Sequence, residues 1–221
     1  MYYNISIIFV KIIYFSYNSF GDCMKTIEKN IHELEIQKSK FICYMDNIYS
    51  EDDVKNIIAE IRGKYPGATH YCYAYIVGNV KRFQDDGEPG GTAGMPILHV
   101  LESNELNNVI AIVVRYFGGI KLGAGGLVRA YTNSVSECIN NSNIIEVEEA
   151  HLIQLEFDYQ NIKQVDYLLK DYTITKKDFD EKVIYEVAVY KCLIEEFIES
   201  LSNVIDKYDI QNKIIYIKKS G

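Results

Sequence analysis

The chain has no tryptophan, three prolines, four arginines and no C-x-x-C pair among its 221 residues. Its five cysteines, Cys23, Cys43, Cys72, Cys138 and Cys192, are odd in number and scattered, so neither a disulfide framework nor a zinc knuckle is indicated. Reduced thiols of the cytoplasm are the expectation. A long apolar run is also missing. The stretch from Ile5 to Phe15 is broken by Ser6 and Lys11 and falls short of the roughly 20 residues that span a bilayer. It carries neither the leading positive charge nor the small-residue cleavage site of a secretory signal. Positive charge is scarce as well: 23 basic against 31 acidic residues give a formal net charge of −8. Coating by nucleic acid through bulk electrostatics is therefore excluded, and any contact with phosphate must be a local patch. What remains is 48% apolar, enough for a packed core and against disorder.

At this length two compact units are expected. Residues 1–23 stand apart in composition, and Met24-Lys25-Thr26-Ile27 looks like an alternative start, so 1–23 is expected to be a non-native or disordered extension. The first domain is placed at 24–149 and the second at 150–221. In the first, Ser50-Glu51-Asp52-Asp53 is a capping signal before Val54, Ile57, Ile58 and Ile61, one face of a helix. Ala68–Gly78 and Val109–Val114 read as strands, the latter covered on both faces, and Val128, Tyr131, Val135, Cys138 and Ile139 as a second helix. Glu146–Glu149 reads as an acidic connector. Beyond it, Ile153, Leu155 and Phe157 alternate as a strand, and Ile162, Val165 and Leu169 keep helical period. Thr173–Thr175 and Val183–Tyr190 then flank a polar turn. Ile194, Phe197, Ile198 and Leu201 form another helix, and Ile214–Ile217 closes a βαββαβ order of ferredoxin-like type. Neither domain is basic: Met24–Glu149 holds 12 basic and 17 acidic residues, Ala150–Gly221 holds 10 and 13.

Glycine is where the chemistry concentrates. Nine of the 14 glycines fall in two short loops, Gly87, Gly90, Gly91 and Gly94 in one and Gly118, Gly119, Gly123, Gly125 and Gly126 in the other. Glycine is kept in numbers where backbone takes positive φ or where something approaches closely. The second loop leaves a buried strand and opens a helix, so free N–H groups and the positive helix end would meet an anion there. Arg115, Lys121 and Arg129 bracket it. Named phosphate motifs fail: no Lys-Ser or Lys-Thr follows Gly123, and Val128 stands where a dinucleotide fingerprint wants glycine or alanine. The first loop sets Asp85, Asp86 and Glu88 on a turn, with Thr92 as N-cap and Pro96 in the first helical turn. Read blandly, this is a turn and a cap. Read as chemistry, the carboxylates would hold Mg²⁺ or accept hydrogen bonds from a ligand whose phosphate lies on the other loop.

His70 and Cys72 share one strand face and could form a nucleophile pair, but no orienting third group is visible and core packing is the better reading. His32, His99 and His151 have no metal-ligand spacing. The stripe Tyr71, Tyr73, Tyr75 is one face of a strand rather than a base-stacking platform.

The segments ATHYCYAYIVG, DDGEPGGTAGMPIL and RYFGGIKLGAGGLVRAY, in that order and spacing, closely resemble those of the YigZ/IMPACT family, and 152–217 resembles the C-terminal domain of its bacterial members. The resemblance covers about residues 25–217. It implies an α+β protein. Its N-terminal domain would be a two-layer α/β unit with a left-handed βαβ crossover, similar to a ribosomal-protein domain and to elongation factor G domain IV. Its C-terminal ferredoxin-like domain would be similar to elongation factor G domain V. Eukaryotic relatives regulate translation through an additional domain, for which this chain has no room, so association with RNA or the ribosome is the partner expectation, with no DNA and no membrane. The anion-binding set is Arg115, Gly118, Gly119, Lys121, Gly123, Gly125, Gly126 and Arg129, faced by Asp85, Asp86, Glu88 and Thr92; no catalytic residue and no resident cofactor is assigned. The alternative is an enzyme acting on a phosphorylated small molecule with Mg²⁺, for which the GHMP kinases offer a fold analogy.

Overall fold

A computed structural model describes residues 23–218, and the extension expected at 1–23 lies, but for the exposed Cys23, outside them. The chain divides into two compact units, one formed by Met24–Ile145 and the other built on the residues from Glu146 onward. In the first unit β1 (Met24–Ile27) precedes the hairpin β2 (Asn30–Ile36) and β3 (Ser39–Asn47), then α1 (Glu51–Lys64). A second hairpin, β4 (His70–Val77) and β5 (Val80–Gln84), leads to α2 (Gly94–Ser103), β6 (Val109–Tyr116) and α3 (Gly123–Asn140). The sheet order is β2-β3-β6-β4-β5. Both β3 and β4 run antiparallel to β6 between them, so they are parallel to each other and α1 is their crossover.

All residues of β6 except Tyr116 are buried, and the period of two sorts them. Val109, Ala111 and Val113 join Cys43, Met45, Cys72 and Ala74 under α2 and α3. Ile110, Ile112 and Val114 join Tyr44, Tyr71 and Tyr75 under Val54 and Ile61 of α1. α2 and α3 cover one face of the sheet and α1 covers the opposite face. Ser50 caps α1 as its sequence suggests, its hydroxyl accepting from the Asp53 amide at 3.2 Å while the Asp53 carboxylate accepts from the Tyr49 amide at 2.9 Å.

Glu146–Glu149 is not a linker. It lies inside β7 (Ile144–Phe157), where Ile145 and Val147 are buried, Glu146 is exposed, and the half-buried Glu148 and Glu149 are held in the ladder opposite Ile217 and Tyr216. The second unit continues with α4 (Ile162–Leu168), β8 (Thr173–Phe179), β9 (Val183–Tyr190), α5 (Ile194–Leu201) and β10 (Lys207–Lys218). β7 pairs antiparallel with both β10 and β9, and β9 with β8. With its helices, this is the ferredoxin-like βαββαβ arrangement. Val165, Phe197 and Leu201 cover Ile153, Leu155, Phe157, Tyr185 and Val187 on one sheet face.

Where the chain leaves β6, Gly118 lies against the Lys38 carbonyl in the β2–β3 turn, and a Cβ there would overlap it. The Gly118 amide donates to the Ser39 hydroxyl at 3.1 Å, so the start of the glycine loop is fastened to that turn. In urea titration, Gly118→Ala is expected to lose about 1–3 kcal/mol of unfolding free energy through overpacking. Gly125→Ala, whose Cβ meets nothing within 4 Å, is expected to gain about 0.5–1 kcal/mol from better helix propensity.

Candidate functional site

The acidic loop between β5 and α2 closes on itself. Asp85 accepts from the Gly91 amide at 2.9 Å through Oδ2, and from the Ala93 and Gly94 amides at 3.0 and 2.8 Å through Oδ1. It therefore caps α2 from eight and nine residues upstream, placing a negative charge on the helix's positive end. Thr92 is not the N-cap: Ala93 holds that position, and the Thr92 hydroxyl donates instead to the Pro89 carbonyl at 2.6 Å. Asp86 accepts from the Tyr71 amide at 2.7 Å and from Arg62 at 2.9 Å. Neither aspartate is left facing outward as a ready Mg²⁺ ligand.

Glu88 departs most from an exposed ligand role. Its side chain is 3% accessible, and Oε1 accepts from Arg115 Nη1 at 2.5 Å and from the Tyr131 hydroxyl at 2.7 Å. Arg115 was expected beside an outside anion; its side chain is 6% accessible and its charge is matched within the protein. Strand register explains this. Arg115 has the parity of Val113 and Ala111, so it points under α3, flanked on the sheet by its pairing partners Phe41 and His70. Its guanidinium lies 5.4 Å from the Phe41 ring centre and 5.5 Å from that of Phe117. His70 Nδ1 is 2.8 Å from the Asp86 carbonyl, an acceptor only, so that nitrogen carries the proton; Nε2 faces Glu88 Oε2 at 3.9 Å. Cys72 donates to the Asp85 carbonyl at 2.9 Å, and its sulfur lies 3.3 Å from the Tyr131 oxygen. Burial, reinforced by Glu88, Asp86 and Asp85, pushes its thiol up to about 12, which disarms it as a nucleophile. Burial first, and then Cys72 and Glu88, raise Tyr131 well above the phenol range, keeping it a donor.

The glycine loop is built the other way. Among the described residues, the amides of Gly119, Ile120, Lys121 and Leu122 find no acceptor. Those of Gly123, Ala124 and Gly125 open α3 and have no intrahelical partner. Leu122 contributes no side-chain cap, and the first turn of this 18-residue helix has no acidic residue. Gly123, at φ +69°, turns the chain into the helix. Lys121 and Arg129 are exposed and make no ion pair among the described residues. The two loops thus meet at their roots, where Glu88 touches the residue before the glycine loop and a residue two turns into α3.

Three comparisons place the chain. The Impact N-terminal domain matches residues 37–139. The IMPACT family member YvyE of Bacillus subtilis is 36% identical over 200 residues, covering 87% of this chain and 92% of its own. The chain belongs to the IMPACT family. YigZ of Escherichia coli is 32% identical over 76% of this chain and 86% of its own. The crystal structure of a hypothetical protein, 28% identical, superposes over 90% of this chain and 98% of its own with a TM-score of 0.63. Both loops of this IMPACT-family chain lie inside the matched domain. No helix among the described residues is long and apolar enough to cross a membrane, and none of them forms a group of three or more His, Cys, Asp or Glu suited to a metal.

Sequence reasoning missed the role of Tyr131, which reads as one more apolar residue at helical spacing, and of His70 as a wall of the Glu88 pocket. The parity of Arg115 with the buried residues of its strand could have flagged the ion pair. The ferredoxin-like sheet, considered as a second RNA contact, presents Glu156, Asp178, Glu186 and Asp209 together with Lys176 and Lys207 on the face away from α4 and α5, a mixed surface with acidic excess rather than a basic one.

Glu88→Gln leaves a buried guanidinium without its counter-charge and is expected to cost about 3–5 kcal/mol in chemical denaturation. Asp85→Ala removes the cap of α2 and is expected to cost about 1–2 kcal/mol. In native protein at pH 8, a thiol reagent is expected to label the exposed Cys23 and Cys192 quickly, and Cys43, Cys72 and Cys138 only on unfolding, as read by peptide mass mapping.

Proposed function

We propose that this IMPACT-family chain is a translation-linked RNA- or ribosome-binding protein that receives a backbone phosphate on the loop 118–126. The observation that carries the reading is the run of acceptor-free amides from Gly119 into the uncapped start of α3, with Lys121 and Arg129 exposed beside it. A helix start left without a carboxylate is electrostatically suited to an external anion. In the same unit, α2 has its carboxylate built in, so the contrast is not imposed by the fold. Of the three basic residues that bracket the loop in sequence, Lys121 and Arg129 supply the cationic contribution, since Arg115 is committed to Glu88. Such a patch suits a few phosphates of a single strand or ribosomal loop rather than a broad duplex surface, in keeping with the net charge of −8. The translation link comes from the family resemblance.

An enzyme handling a phosphorylated small molecule could use the same loop. It is the weaker reading because Asp85 and Asp86 accept protein donors and Glu88 is buried against Arg115. Lys121→Glu combined with Arg129→Glu is expected to weaken binding to single-stranded RNA and to reduce ribosome co-sedimentation. With two phosphate contacts removed, the slope of log affinity against log salt should become shallower by about 1.4, at about 0.7 per contact. Unchanged affinity and slope would refute the reading. Saturable, Mg²⁺-dependent thermal protection by a small phosphorylated metabolite, without RNA affinity, would favour the enzyme.

A further inference from the structure

Between α2 and α3 runs an open groove of about 460 Å³ whose walls include Met95, His99 and Ser103 of α2 and Val128, Thr132 and Ser136 of α3. Its volume lies within the roughly 300–1,000 Å³ of small-ligand sites. Two features distinguish it from an ordinary seam between helices. Val128 is 37% exposed although it keeps the helical spacing of the core face, so an apolar side chain is offered to the groove rather than to the sheet. The hydroxyls of Thr132 and Ser136, both half-buried, make no hydrogen bond within the described protein, and neither do the side chains of His99 and Ser103. Within the same helix Ser134, two residues from both Thr132 and Ser136 and on the buried face, donates to the Ala130 carbonyl at 2.7 Å, the usual fate of a hydroxyl in a helix. The groove therefore combines apolar contact surface with four unengaged polar groups, and no carboxylate, lysine or arginine is among its lining residues.

Its position narrows the ligand class. Val128 follows Gly125 by three residues and Ala124 by four, so the Val128 side chain lies on the face of α3 that residues 124 and 125 of its first turn share. Gly91 of the acidic loop lines the groove too. A ligand that places an anion on the helix start and extends along the groove has a charged end, then an uncharged body with a flat apolar face and hydrogen-bonding edges. We propose that the α2–α3 groove binds the ribose and base of a nucleoside 5′-monophosphate unit whose phosphate sits on the glycine loop. This rests on the phosphate-binding reading of that loop and adds what the loop alone does not supply, namely a contact that senses the nucleoside. Thr132, Ser136, Ser103 and His99 supply donors and acceptors for ribose hydroxyls and base edge, and Met95 and Val128 contact the ring face.

The test measures calorimetric affinity of the full chain for inorganic phosphate, adenosine and uridine 5′-monophosphate, and hexauridylate. The wild type is compared with Thr132→Leu/Ser136→Leu and with Lys121→Glu/Arg129→Glu. Either nucleotide is expected to bind at least tenfold more tightly than inorganic phosphate. The groove variant should erase that advantage while keeping phosphate affinity, and the charge-reversed variant should lose both. Amide NMR signals of residues 128–136 in the wild type should move with nucleotide and stay put with phosphate, a readout independent of whether the leucine variant folds. Hexauridylate binding more tightly than the monophosphate identifies the unit as part of a strand, and equal binding identifies a free nucleotide; both uphold the groove. Nucleotide binding no better than phosphate, or an advantage that survives the leucine substitutions, overturns the proposal and leaves the loop reading standing. Absence of any phosphate, nucleotide or RNA binding refutes both.

Discussion

The buried ion pair between Glu88 and Arg115 is the constraint around which the N-terminal unit is arranged. Two opposite charges with 3% and 6% side-chain accessibility are tolerable only because each compensates the other's lost hydration, and the Tyr131 hydroxyl supplies the further hydrogen bond that such pairs need. The pair joins three elements distant in sequence: the acidic loop, the central strand β6 and the helix α3. Because Arg115 precedes the glycine loop and Tyr131 follows it, holding both to Glu88 sets where that loop begins and where its helix runs. Gly118, packed on the Lys38 carbonyl, secures the exit from β6. The loop between these anchors needs no contacts of its own to be positioned, which is why its amides can be left without acceptors.

The two glycine-rich loops solve the same problem in opposite ways. Each leads into a helix whose first N–H groups require acceptors. At α2 the need is met internally by Asp85, which takes three amides, and the loop is thereby closed to outside anions. At α3 nothing among the described residues meets it. The difference between the two helix starts follows from one carboxylate being present in one loop and absent from the other. The groove between α2 and α3 begins on α3 at Val128, within the turn that follows the open helix start, and its hydroxyls at Thr132 and Ser136 are likewise unengaged among the described residues.

Much of this was legible beforehand. The fully apolar β6, the Ser50 cap of α1, the alternation of Ile153, Leu155 and Phe157 and the order of elements in the second unit are local signals, and local signals survive into the fold. The family resemblance rested on three long segments, and the relatives in Bacillus subtilis and Escherichia coli uphold it. The expectations that failed share one cause. Arg115 beside glycines suggests an anion site, Thr92 before a helix suggests a cap, and Glu146–Glu149 suggests a linker, because each residue was judged by its type and neighbours. In the structure a partner outside the local segment decides each case: Glu88 buries Arg115, Asp85 displaces Thr92 as the source of the cap, and pairing with β10 holds Glu148 and Glu149 in β7.

The amino-acid sequence by itself determined the two-unit α+β organisation, the faces of its helices and strands, and the concentration of glycine in two loops, because periodicity and backbone freedom act over a few residues. Only the tertiary structure decided which charges are spent inside the molecule. Whether a carboxylate or guanidinium meets solvent or a buried partner depends on contacts between residues tens of positions apart, such as the 27 that separate Glu88 from Arg115. That long-range pairing withdraws Arg115 and Glu88 from the surface, whereas Lys121 and Arg129 stay exposed and without an ion pair among the described residues.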